Sequence, residues 1–213
     1  IRRIVEQEGM PHGEGVRQTM MFSATFPANI QRLAGDFMGD YIFLTVGRVG
    51  SASENVAQTV EYVEQKDKLD HLMRFLMTIQ EGLILIFVET KRNCDYVEDV
   101  LCEKGFPACS IHGDKTQRER EDSLRSFKTG RCPVLVATDV AARGLDLPTV
   151  GLVIHADLPN DPATLLHRSG RTGRAGASGL AVSFVGGKND ARLVADIEKL
   201  IKTKIELEAI EFE

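Results

Sequence analysis

The stretch Leu83-Ile84-Leu85-Ile86-Phe87-Val88 decides the fold. It is a continuous apolar run of strand length, as expected of a strand buried on both faces. A helix follows over Lys91–Lys104 and stops at Gly105, with Cys94, Val97, Leu101 and Cys102 on one side. These cysteines read as core residues rather than reactive thiols.

Working outward, the same alternation repeats. Upstream, Leu69, Leu72, Met73 and Leu76 recur at helical spacing, ending before Gly82. Downstream come a strand at Ala108–Ile111, a charged helix at Thr116–Lys128 and strands at Val134–Ala137 and Leu152–Ile154. A short helix at Ala163–Arg168, a strand at Leu180–Val185 and a helix at Asp190–Thr203 complete the pattern. Strands alternating with helices of this length predict βαβ units, hence an open parallel sheet with helices on both faces.

Residues 1–46 differ. They predict a short helix (Ile1–Glu8), strand Thr19–Ser23, helix Ala28–Met38 and strand Ile42–Val46, only part of a βα layer. Residues 47–58, small and polar at first, read as a linker, and 59–213 as the main domain. Because the chain begins at Ile1 rather than Met, it reads as a piece of a longer protein.

Bulk properties narrow the function classes. Of 213 residues 43% are hydrophobic and 27% charged, an ordinary globular balance, and the net charge is −5. A polyanion site must therefore be a local basic patch on an acidic background. The tail from Ile205 to Glu213 has four glutamates and no base. No apolar run is long enough to span a bilayer and no signal peptide is visible, so no membrane partner is expected. The four cysteines lack Cys-x-x-Cys spacing and the five histidines are scattered. No metal site is expected, and reduced thiols point to a cytoplasmic setting.

Polar groups follow the predicted strands, where ligands of open α/β sheets gather. Glu89-Thr90-Lys91 can take a phosphate, although Thr90 also suits an ordinary helix N-cap. Gly113, within His112-Gly113-Asp114, can present its amide to a phosphate or merely turn the chain. Arg120, in Gln117-x-x-Arg120, can contact phosphate or form an exposed ion pair. Thr138-Asp139 and Ala142-Arg143-Gly144-Leu145-Asp146 follow the central strand. Thr138 and Gly144 suit a phosphate, and Asp146 suits a ribose diol or a cap before Pro148. Ser110 and Ser169 lie in no Gly-x-Ser-x-Gly context.

The densest signal is His167-Arg168-Ser169-Gly170-Arg171-Thr172-Gly173-Arg174, four cations counting a protonatable His and no acid. Helical spacing would set Arg168, Arg171 and Arg174 on one face. Guanidinium forks grip phosphate oxygens in bidentate fashion, and the glycines let the backbone come close.

In order, these stretches resemble the motifs of the DEAD-box family of ATP-dependent RNA helicases, across nearly the whole chain. Ser23-Ala24-Thr25 resembles motif III, Leu85–Thr90 motif IV, Gln117–Arg120 the Gln-x-x-Arg motif, Ala137–Asp146 motif V and His167–Arg174 motif VI. Residues 17–56 are similar to the Vasa-like subgroup. The stretch Val153–Pro159, with Ser169, is similar to bacterial members.

The resemblance implies a RecA-like second domain preceded by the end of a first, in an enzyme whose cofactors are ATP and Mg²⁺, held mainly by that first domain. It implies that Arg171 and Arg174 contact the γ-phosphate, Arg174 as the arginine finger. His167 would couple ATP state to RNA binding, and Asp146 and Gly144 would hold the nucleotide. Thr90, Lys91, Gly113, Arg120 and Thr138 would line the backbone of single-stranded or duplex RNA, with little sequence preference. Ser23, Thr25, Arg143 and Asp139 would couple the domains. No Walker A loop or Asp-Glu-Ala-Asp stretch occurs, so this chain alone is expected neither to hydrolyse ATP nor to unwind RNA. The alternative is a non-catalytic RNA- or protein-binding module on the same scaffold. The apolar N-terminal stretches invite self-association or mobility.

Overall fold

In the computed structural model, the described residues are 2–11, 17–23, 25–45, 55–79, 82–142, 144–174, 176–186, 190, 194–196, 198 and 207–208. The apolar run forms strand β2 (Ile84–Phe87), with all four residues buried. The chain divides into two units, Ile1–Ser51 and Ala52–Glu213.

The second unit is built on a parallel sheet. Its strands are β1 (Val56–Tyr62), β2, β3 (Ala108–Ile111), β4 (Val134–Ala137), β5 (Leu152–His155), β6 (Gly179–Val185) and the two-residue β7 (Leu207–Glu208). They lie in the order β3-β4-β2-β5-β6-β1-β7, every neighbouring pair parallel. Parallel neighbours need crossovers, which the helices α3 (Lys68–Thr78), α4 (Lys91–Glu103), α5 (Gln117–Lys128), α6 (Asp139–Ala142) and α7 (Pro162–Ser169) supply.

Strand residues alternate between two cores. Ile84, Ile86, Val134 and Val136 pack with Leu72, Met73 and Leu76 of α3 and Cys94, Val97 and Leu101 of α4. Leu85, Phe87, Leu135 and Ala137 face the other way, towards Phe127 of α5 and Ala141 and Ala142 of α6. Helices therefore cover both faces, as expected.

Three readings change. β1 begins at Val56, inside the stretch read as a linker, and carries a buried carboxylate. Glu61 is 4% exposed because it bonds the ring of His71 on α3, itself edge-on to Phe184. A strand bearing Gln58, Thr59 and Glu61 has no clean apolar pattern, which is why periodicity overlooks it. Cys102 is exposed, because the buried face of α4 runs through Cys94, Val97 and Leu101. The helix expected over Asp190–Thr203 lies largely outside the described residues. Asp190, Val194–Asp196 and Glu198 are helical.

The third change is in the first unit. It holds α1 (Arg2–Gln7) and α2 (Ala28–Phe37), but the described residues of the two expected strands pair with nothing. A strand is stable only when a neighbour takes its N–H and C=O groups. Arg2 reaches Asp36 and lies over the Phe37 ring at 5.5 Å, and Phe26 stacks on Phe43 at 4.8 Å. Phe22, Ile42 and Leu44 remain exposed. Among the described residues, no helix of either unit is long and apolar enough to cross a membrane.

Candidate phosphate and nucleic-acid site

The adjacent strands β3, β4 and β2 end at one sheet edge and deliver His112-Gly113, Thr138 and Glu89-Thr90 there. Thr138 N donates to Ile111 O (3.4 Å) and Val88 N to Ala137 O (3.1 Å), so the three ends sit side by side. Thr90 caps α4, its hydroxyl accepting from Asn93 N at 3.1 Å. Lys91 crosses Gly113 to reach Asp114, and a Cβ on Gly113 would lie 3.6 Å from Lys91 Cε. Thr116 and Glu119 form a capping box on α5, which carries Arg120. The exposed ion pair that Arg120 could have made is not found among the described residues. Its Nε is buried and has no partner among the described residues. Thus Thr90, Lys91, Gly113 and Thr138 share one edge.

A second group forms around the end of α7. The helix stops at Ser169, so Arg171 and Arg174 lie beyond it, and the shared helical face is not what the fold builds. Arg168, on the helix, turns inward. Its side chain is 3% exposed and clasps Asp139 through Nε (2.6 Å) and Nη2 (2.7 Å). Nη1 donates to Asp157 O at 2.6 Å, and the guanidinium lies 4.9 Å above the Phe87 ring. Asp139, read as an interdomain contact, is thus engaged within its own unit.

Arg171 stays half-buried. Burial, then the charge of Arg174, lowers its pKa below the ordinary guanidinium value. Arg174 donates from Nε to Gly170 O (2.8 Å) and from Nη1 to Leu147 O (3.5 Å). The loop between them is pinned by Thr172, whose hydroxyl donates to Val150 O at 2.6 Å. At Gly173, φ is +65° and a Cβ would fall 2.5 Å from Val56 Cγ2, so only glycine fits without displacement.

Asp146 lies close enough to Arg174 to feel its charge. Its exposed carboxylate takes Lys128 Nζ at 2.8 Å, and that hydrogen bond is the first cause of its lowered pKa. Lys128 is a partner that sequence reasoning did not name. Gly144 turns with φ +71°. His167 lines a small open recess with Phe87, Asp139, Ala142, Thr164, Arg168 and Arg171. In the first unit, Ser23 Oγ donates to Thr25 O at 2.6 Å. Arg143 lies outside the described residues.

Beneath the site, β5 ends in fully buried His155, its Nδ1 2.9 Å from Ser183 Oγ and its Nε2 without a partner among the described residues. Burial, then Arg168, pushes its pKa down to about 3. The ring is neutral in the fold, whereas the unfolded chain takes a proton below about pH 6.5. Its contribution to stability is therefore full above that value and lost as pH falls, by about 1.4 kcal/mol per unit. Urea unfolding at pH 7 and pH 5 should show wild type losing about 2 kcal/mol more than His155→Asn. Equal losses in the two proteins would refute the assignment.

The chain is similar to known proteins. Residues 67–176 match the helicase conserved C-terminal domain. The C-terminal domain of the DEAD-box protein Dbp5 is 36% identical, covering 74% of this chain and 91% of that one, with a TM-score of 0.68. Dbp5 of S. cerevisiae, bound to RNA and ADP BeF3, is 32% identical over 98% of this chain and 57% of that one, TM-score 0.80. A DEAD-box protein of the hyperthermophile Methanococcus jannaschii is 37% identical over 88% of this chain and 50% of that one, TM-score 0.68. The chain therefore spans about half the length of the two longer relatives.

Proposed function

Because this chain belongs to the DEAD-box helicase family, as a C-terminal domain of RecA-like fold, we propose that it serves an ATP-dependent RNA helicase by gripping the RNA backbone and reaching across to ATP with two arginines. The observation that carries this is the turn holding Arg171 and Arg174. They are near enough to repel each other, neither makes a salt bridge among the described residues although Asp146 lies within reach of the charge of Arg174, and burial and that repulsion disfavour the charge of Arg171. Such a pair gains most from an anion brought to it.

The donor set fits a nucleotide. Two guanidinium groups suit terminal phosphate oxygens, and the exposed Asp146 beside the Gly144 turn suits a ribose hydroxyl once it releases Lys128. ATP supplies the phosphoryl group that is transferred. Arg174 stabilises negative charge as it develops, Arg171 holds the same group in place, and His167 lines the adjoining recess. Among the described residues no group of three His, Cys, Asp or Glu side chains could hold a metal ion. Mg²⁺ is assigned to the first domain, as the family resemblance implies. Lacking a phosphate-binding loop, these 213 residues alone are inactive.

Thr90, Lys91, Gly113 and Thr138 offer hydroxyls, an ammonium and an amide along one edge, with Arg120 on α5, and these groups suit phosphates rather than base edges. That the relative Dbp5 is bound to RNA and ADP BeF3 supports RNA as the partner. The full-length protein with ADP BeF3 should bind two unrelated labelled single-stranded RNAs with affinities within about threefold. Both affinities should fall at least about tenfold between roughly 50 and 200 mM salt. Anisotropy titrations showing strong sequence preference, or no salt dependence, would refute the reading.

A further inference from the structure

Asp157 follows β5 in the stretch that resembles bacterial members, and the proposed function leaves it without a role. It is partly buried, its side chain 14% exposed, and it bonds in two directions. Its carboxylate serves the start of α4. Oδ2 accepts from Glu89 N at 2.9 Å and from Asn93 Nδ2 at 3.2 Å, and Oδ1 faces Lys68 Nζ at 3.5 Å. Asn93 in turn donates its main-chain N–H to Thr90 Oγ1 at 3.1 Å. The carboxylate therefore fixes the turn that presents Thr90 and Lys91.

The main chain of the same residue serves the other side. Asp157 N donates to Phe87 O at 3.2 Å, and Asp157 O accepts from Arg168 Nη1 at 2.6 Å. Arg168 stands on the last turn of α7, directly before the loop of Arg171 and Arg174, and clasps Asp139 next to Thr138. One residue thus joins the supports of both groups, within a partly buried polar network.

We propose that Asp157 is a positioning residue that couples RNA binding to nucleotide binding. A shift of Arg168, as the arginines take up phosphate, moves the Asp157 carbonyl, and the carboxylate on the same residue passes that shift to Thr90 and Lys91. This rests on the reading of Thr90 and Lys91 as RNA contacts and of Arg171 and Arg174 as phosphate contacts. Asp157→Asn separates the two directions. It keeps the carbonyl for Arg168 and an acceptor for Glu89 N, but removes the charge facing Lys68 and one of the carboxylate's acceptor oxygens.

The experiment measures RNA affinity of the full-length protein with and without ADP BeF3, in wild type and Asp157→Asn. Couplings between sites are commonly about 5- to 150-fold. The wild-type factor is expected in that range, and Asp157→Asn should reduce it by about tenfold or to no coupling, with RNA affinity in the absence of nucleotide kept within about twofold. A fold support alone would weaken both affinities together and spare their ratio, and that result would overturn the inference. Wild-type coupling in Asp157→Asn would also overturn it, leaving the proposed function standing. Absence of coupling in wild type would sink both. If Asp157→Asn does not fold, Asn93→Ala decides, since it removes one partner and leaves the carboxylate. Reduced coupling there supports the inference, and an unchanged factor refutes it.

Discussion

Arg174→Ala in the full-length protein should lower kcat for RNA-stimulated ATP hydrolysis by about 10³-fold or more, with RNA affinity within about twofold of wild type. That loss corresponds to about 4 kcal/mol of transition-state stabilisation. The size follows from how the side chain is held. Nε on Gly170 O and Nη1 on Leu147 O orient the guanidinium before any ligand arrives, so little ordering remains for the reaction to supply. Arg174→Lys should recover little of the rate, because a point charge on a flexible stem lacks the planar fork. Single-turnover hydrolysis in Arg174→Ala within about threefold of wild type would remove Arg174 from the proposed role.

Asp139→Asn should destabilise the C-terminal unit by about 3 kcal/mol, read as a lower urea midpoint at unchanged slope. Breaking a buried pair by removing one charge leaves the other uncompensated. Arg168 is the more buried partner, at 3% against 31% for Asp139, so the stranded charge is the costly one. Solvent at Asp139 keeps the figure at the low end of the usual range. Asp139→Leu with Arg168→Met should restore much of the stability, since well-packed apolar pairs often replace buried ion pairs without loss. That double variant should still impair RNA-stimulated hydrolysis, because α7 and Thr138 lose their common anchor. A loss below about 1 kcal/mol in Asp139→Asn would show that the pair is not needed to hold the unit together.

Much of this was legible in the order of residues. The runs Ile84–Phe87, Ala108–Ile111 and Val134–Ala137 become the strands they suggest, because a parallel strand buried on both faces must be apolar throughout. Thr90 and Thr116 announce the helix starts that they cap. β1 escaped because Glu61 enters the interior only through His71, and β-pairing of the N-terminal stretches failed because strand propensity cannot replace a neighbouring strand.

The candidate site divides along the same line. Composition and spacing placed Thr90, Gly113 and Thr138 beyond strand ends that the parallel sheet gathers at one edge, and marked Asp146, Arg171 and Arg174 as candidates elsewhere in the chain. What a run of residues contains is local, and so are helix periodicity, capping and the apolar content of a strand. Those were the sequence's to determine, with the ordered motifs that mark the family. The tertiary structure alone decided that Arg168 turns inward to a carboxylate 29 positions away, and that Asp157 caps Glu89 across 68 positions. Ion pairs and buried hydrogen bonds are settled by which groups the fold brings together out of water, and no spacing along the chain encodes that meeting.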